Sequence, residues 1–257
     1  MLSRRHLALI GVCLGILFAV HLTYIGFVLP QAELALDQAR AAGEAAPRTL
    51  FVVLKDLEQE LCIVLALCCL VLMGEKSYRM YSQRYLFEVD LLASEDDAEP
   101  QKPTLSSLES LERDIRESPL VKTMMASIRR FEATNNVQNA ADVIDSNIES
   151  TGMKLEAENS MIRYIIWSIP SIGFVGTVRG IGAALSEADE ALAGNIATMT
   201  ENLGIAFNST LVALMLSIGL TLALHLLQSV QDRLVIDIED YCDRYLVKRL
   251  AFEPARA

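Results

Sequence analysis

Positive charge is scarce in this chain: 22 Lys and Arg stand against 33 Asp and Glu, a formal net charge of −11. A basic surface built for nucleic acid is therefore not expected. Histidine is scarcer still. His6, His21 and His225 fall on separate helix ends, and no Cys or carboxylate cluster stands at metal-ligand spacing. The five cysteines imply no disulfide framework. Cys13, Cys62, Cys68 and Cys69 lie inside apolar runs and Cys242 in the C-terminal tail, and all are expected as buried thiols. The glycines from Gly173 to Gly182 lack the Lys-Ser/Thr ending of a phosphate loop and follow no strand. Asn208-Ser-Thr210 matches a glycosylation sequon by composition only, because it sits in an apolar run. With no catalytic constellation in view, neither an enzyme nor a bound metal or organic cofactor is expected.

What the chain does have is apolar residue, 52% of the total, gathered into spans rather than spread. The expected class is an all-α, polytopic membrane protein with four transmembrane helices and long helices extending into the cytoplasm. Leu7 to Leu29, interrupted by His21 and Thr23 and preceded by Arg4 and Arg5, exceeds the about 7 to 15 residues of a signal-peptide core. It reads as a first span whose N-terminus is cytoplasmic. Pro30 to Arg48 follows as a short, Ala-rich outer connection, expected to be helical in part. The second span is expected over 50–73. Its fully apolar part, Leu61 to Met73, covers only about 20 Å against a hydrocarbon core of about 30 Å. The preceding amphipathic turn, with Lys55, Asp56, Glu58 and Glu60 on its polar face, must then reach the outer interface. Spans three and four are expected over 164–185 and 203–227.

Flanking charges set the orientation. Lys76, Arg79 and Arg84 after the second span, and Lys248 and Arg249 near the end, mark cytoplasmic sides, whereas Ser186 to Asn202 holds Glu187, Asp189, Glu190 and Glu201 and no Lys or Arg. Both termini are expected inside. The resulting division is a transmembrane hairpin at 1–74, a cytoplasmic helical domain at 75–160, a second transmembrane hairpin at 161–228 and a cytoplasmic C-terminal helix at 229–257. Within 75–160 the second helix is expected to run to about Leu92, and 94–104, with acids and two prolines, to be a surface linker. Ser106 to Glu109 has the pattern of a capping box, opening a helix that ends before Pro119. Leu120, Met124, Ile128 and Phe131 form one apolar face, and Val137, Ala141, Ile144, Ile148 and Leu155 the next. Asp96, Asp97, Arg129 and Arg130 could dock a partner, but nothing singles them out.

The second hairpin is no plain anchor. Gly173, Gly176 and Gly180 fall on one flank of a helix, where missing side chains let another helix approach. Thr177 sits beside them. In the following span Ala206, Thr210, Ala213, Ser217, Thr221 and Gln228 hold one narrow stripe. Two readings fit such a stripe: helix packing, with hydroxyls satisfied on the preceding turn, or the wall of a polar path. The pattern alone favours packing. Pro170 is expected to kink its helix, with neighbours satisfying the freed carbonyl. Arg179, about 9 Å deep counting from Leu185, is either a snorkelling interface anchor or half of a pore-mouth or intersubunit ion pair with Glu187 or a partner.

The stretch Ile169-Pro-Ser-Ile-Gly-Phe-Val-Gly-Thr-Val-Arg-Gly-Ile-Gly182 resembles the signature of the MotA/TolQ/ExbB proton-channel family, and Ala206-Phe-Asn-Ser-Thr-Leu-Val-Ala-Leu214 is similar to its second motif. Three positions depart: Ala213 replaces a glycine, Ile205 stands where the TolQ/ExbB branch has Glu, and Arg179 replaces a bulky apolar residue. The resemblance implies that Thr177 and Thr210, with Ser217 and Thr221 along the same stripe, line an ion path for protons or sodium. It implies a homopentameric ring in a bacterial inner membrane around a dimer of a single-span MotB/TolR/ExbD-like subunit. That partner would supply the intramembrane Asp, since spans three and four hold no Asp or Glu. Two other classes stay open: a non-conducting scaffold that recruits partners through its cytoplasmic helices, and a substrate transporter, for which the expected repeated halves are not seen.

Overall fold

The computed structural model describes residues 4–42, 47, 49–92, 105–194 and 196–251. Among these, every regular element is helical. Four helical stretches are long and apolar enough to cross a membrane: Leu7–Ala42, Leu57–Phe87, Val137–Ser186 and Ala197–Ala251. The expected all-α, four-span membrane class is what is found. The chain divides into two units, Met1–Gly74 with Met161–His225, and Glu75–Ser160 with Leu226–Ala257.

In the first unit, α1 (Arg4–Thr23) passes through a π-helical stretch, Tyr24–Val28, into α2 (Leu29–Ala42). The connection expected from Pro30, helical in part, begins as an unbroken continuation of the first helix. A proline inside a helix removes one hydrogen bond and crowds the carbonyl four residues back, here that of Gly26. The wider π turn takes up the misfit, with the Leu29 amide donating to the Tyr24 carbonyl. The second span starts later than expected. α3 (Leu50–Leu54) is capped by Thr49, whose hydroxyl accepts from the Val52 amide at 3.4 Å. A break at Lys55–Asp56 then precedes α4 (Leu57–Gln83). The Asp56 carbonyl starts the new helix by accepting from the Gln59 and Glu60 amides, both at 3.2 Å. Ala32, Leu36 and Val52 form a small core between α2 and α3.

In the second unit, α4 gives way to a 3₁₀ turn at Arg84–Phe87, short of the expected Leu92. The linker expected at 94–104, with Asp96 and Asp97, lies outside the described residues. α5 (Leu105–Glu109) and α6 (Arg113–Arg116) replace the single helix expected before Pro119. Ser106 falls inside α5 rather than capping it, because Leu105 is already helical, and Ser110 turns the chain by donating to the Ser107 carbonyl. The strong caps lie further on. The Ser118 hydroxyl accepts from the Val121 amide at the start of α7 (Pro119–Thr134), Asn135 closes that helix at φ 47°, and the Asn136 side chain accepts from Gln138 and Asn139 to open α8 (Val137–Glu158). Leu120, Met124, Ile128, Ala140 and Ile144 are buried with Leu234, Ile238, Tyr241 and Leu246. Arg129 pairs with Glu109 at 3.3 Å. Buried Asn159 and Gln231 join their amides, at 2.6 and 3.3 Å. Of the cysteines, Cys62, Cys68, Cys69 and Cys242 are buried free thiols and Cys13 is partly exposed.

Candidate functional site

Two long helices carry the hydroxyl residues: α9 (Ser160–Ser186) and α11 (Ala197–Tyr241), joined through α10 (Ala188–Leu192) and a turn in which Gly194 takes φ +100°. Within the first unit, they meet along the three glycines. A Cβ on Gly173 would lie 2.5 Å from the Ala213 Cβ, and one on Gly176 would lie 2.5 Å from the Ser209 side chain. One on Gly180 would lie 2.7 Å from the Ala206 nitrogen and 2.8 Å from the Asn202 carbonyl oxygen. Carbon atoms pack at about 3.5–4.0 Å, so the helices stand closer than any side chain here allows. Ala206, Ser209 and Ala213 fill the facing groove and are buried.

The threonines meet on this seam. Thr177 and Thr210 hydrogen-bond to each other through their hydroxyls. Thr177 Oγ1 also donates towards the carbonyls of Gly173, at 3.2 Å, and Ala206, at 3.1 Å, while Thr210 Oγ1 lies 3.3 Å from the Gly173 carbonyl. Each hydroxyl has one proton, so the pair can spend one on a carbonyl and one between its own oxygens. Lone pairs remain as acceptors. Such a pair can pass a hydrogen bond along, but it does not titrate. Ser217 and Thr221 are not brought to it. The Ser217 hydroxyl donates across the interface to the Ile166 carbonyl at 3.5 Å, the very carbonyl whose helical donor is lost at Pro170. Thr221 is exposed and bonds back to the Ser217 carbonyl at 2.8 Å.

Arg179 has a different partner from the one expected. Its Nε and Nη2 donate to the two carboxylate oxygens of Glu58, at 2.7 and 2.8 Å, and Nη2 lies 3.7 Å from Asp56 Oδ1. A planar fork on a carboxylate is the strongest geometry an ion pair takes. Glu187 is not the partner: eight residues on, it would stand about 12 Å along the helix axis. Its backbone instead serves the turn, the amide donating to Ala184 and the carbonyl accepting from Ala191. Glu58 reaches Arg179 because α4 packs on the flank of Gly176, where an added Cβ would come within 3.2 Å of Glu58 Cγ.

Glu58 belongs to a polar corner that sequence reasoning placed at the outer interface without giving its acids partners. Glu58 and Gln59 are buried. Glu60 bonds to His21 Nδ1 of α1 at 2.8 Å. Glu201 of α11 accepts from Arg40 at 2.8 Å and Lys55 at 2.9 Å. The signal that could have found it was already present: an apolar run too short to span draws the preceding acids inward, and an arginine in a span needs a counter-charge.

The family model described as the MotA/TolQ/ExbB proton channel family matches residues 112–240. That is half of the chain, and it takes in α9 and nearly all of α11. No curated protein and no solved structure matches the chain.

Proposed function

The chain belongs to the MotA/TolQ/ExbB proton channel family, a group of channel-type membrane proteins that work with single-span partner subunits, and from that premise we propose that it is the ion-channel-forming subunit of a bacterial inner-membrane motor. In this reading five copies surround two copies of a MotB/TolR/ExbD-like chain, with both termini of each copy in the cytoplasm. The proton, or sodium, motive force becomes rotation or force on that partner, without enzymatic chemistry by this chain.

The observation that carries the reading is the joined pair Thr177 and Thr210, one from each of the two matched helices, in spans that hold no Asp or Glu. A titrating carboxylate is needed to move a proton, and the partner's intramembrane Asp supplies it. Protonation removes that Asp's charge and lets it pass from a polar to an apolar contact. The threonine oxygens offer it hydrogen bonds in the polar position. Five sites around two acids cannot all be equivalent at once, which converts each protonation into a step.

The test is reconstitution of the full chain in liposomes with the single-span protein encoded beside it, reading dye-detected proton uptake and repeating it with a sodium gradient. Thr177→Val and Thr210→Val are each expected to lower flux at least tenfold while the complex stays assembled. Undiminished flux in both variants would take the threonine pair out of the ion path. A complex with no flux above protein-free liposomes would end the motor reading and favour the non-conducting scaffold, for which one feature already speaks: both hydroxyls are satisfied by each other and by the Gly173 and Ala206 carbonyls.

A further inference from the structure

Three buried side-chain polar atoms lack a hydrogen-bond partner among the described residues: Tyr24 Oη, Asp56 Oδ2 and Gln59 Oε1. All three belong to one corner of the first unit. Asp56 and Gln59 stand three residues apart at the start of α4, with the Gln59 amide beside the Asp56 carboxylate, and Tyr24 lies in the field of Asp56 and Glu60. Gln59 is 0% exposed and Tyr24 4%. An uncompensated buried polar atom costs about 1–3 kcal/mol, so three in one place need an account.

The ion pairs of the corner leave Asp56 Oδ2 out. Glu58 holds both arms of Arg179, Glu60 holds His21, and Glu201 holds Lys55 and Arg40. Asp56 has Arg179 at 3.7 Å from Oδ1 and lies in the field of Lys55, but neither cation partners Oδ2. Asp56, Glu58 and Arg179 together carry one net negative charge, and the neighbouring Lys55, Arg40 and Glu201 one net positive. Moreover, Asp56 Oδ2 and Gln59 Oε1 can only accept hydrogen bonds while the carboxylate is ionised. A proton on Asp56 turns one of these two acceptors into a donor.

We propose that Asp56 is a proton-binding site of this chain, its acid O–H donating to the Gln59 side-chain oxygen beneath the Tyr24 hydroxyl. Uptake forms one O–H bond, breaks none, and brings the Asp56–Glu58–Arg179 group from one negative charge to neutral. The Glu58–Arg179 fork stays ionised and holds α4 against α9. A sodium ion fits less well, since it needs several oxygen ligands while the corner frees three. That the stored proton enters transport rests on the motor reading above; that Asp56 binds one does not.

Infrared difference spectroscopy of the full chain in lipid bilayers tests it. Stepping the pH should reveal a protonated-carboxyl C=O band that moves down in D₂O, is lost in Asp56→Asn, and shifts in Gln59→Leu, where the acceptor is removed. Every carboxyl band moves in D₂O and the chain holds 33 Asp and Glu, so the assignment rests on the variant, with Asp56→Glu, which keeps a titrating acid there, expected to retain a shifted band. A chain showing no such band at any pH, or the same band in Asp56→Asn, would overturn the proposal. So would loss of the band on adding sodium at fixed pH, which would assign the corner to a metal cation. Proton flux measured on the chain reconstituted with its single-span partner separates the two readings. A titrating band without flux keeps the site and removes the motor, and flux without a band does the reverse.

Discussion

Replacing Gly180 by alanine adds one methyl group where the structure has no room for it. The three atoms it would meet are the Ala206 nitrogen, the Asn202 carbonyl oxygen and the Ala206 Cα, at 2.7, 2.8 and 2.9 Å. All are backbone, so no side chain can swing aside. Restoring ordinary contact at about 3.5 Å parts α9 from α11 by roughly 0.8 Å. That opening lies within one turn of Thr177 and takes it away from the Ala206 carbonyl and from Thr210. Overpacking of this kind costs about 1–3 kcal/mol, more than the up to about 1 kcal/mol that alanine gains over glycine inside a helix. Gly182 is the control: it is on the same helix, and an added Cβ there meets nothing within 4 Å. Thermal unfolding of the full chain in detergent should place Gly180→Ala below the unsubstituted protein, at roughly 2–4 °C for each kcal/mol lost, and Gly182→Ala level with it or above. Equal midpoints for the two variants would refute the claim that the seam is closed by backbone contact.

A double-mutant cycle on Glu58→Gln and Arg179→Gln should give a coupling of about 1–2 kcal/mol, inside the range for contacting residues, and discounted because the Arg179 side chain is 52% exposed. Additive unfolding midpoints would mean that the fork contributes nothing. Ser217→Ala should cost about 1 kcal/mol by stripping the Ile166 carbonyl of its donor. In a Pro170→Ala background, where the helix supplies its own amide, the same change should cost nothing measurable.

The hairpin was legible because close helix contact leaves its mark in composition. Gly173, Gly176, Gly180, Ala206 and Ala213 are small at helical spacing, and a helix that must come near another has no other way to write it. Asn136 was equally plain, since a side chain that caps a helix stands next to the residues it serves. For Arg179 the need of a counter-charge was legible but its identity was not, since the partner lies 121 positions away and nothing local singles out Glu58 among the acids before Leu61. How far the helix runs past Pro30 was not legible for a related reason: a proline signals a lost hydrogen bond, but only the neighbouring turn decides whether the helix stops or widens. The docking role considered for Arg129 came from charge alone, and that side chain is taken up by Glu109.

At its three glycines the α9 side of the seam contributes no rotamers. Most packed interfaces can slip between two arrangements by swinging side chains from one well to another, which is how small movements are stored and released. At Gly173, Gly176 and Gly180 there is nothing to swing, and the surfaces either touch or separate. The hairpin therefore travels as a single piece. Bending in this part of the molecule belongs to its joints, the interruption before Leu57 and the loosened turn after Thr23.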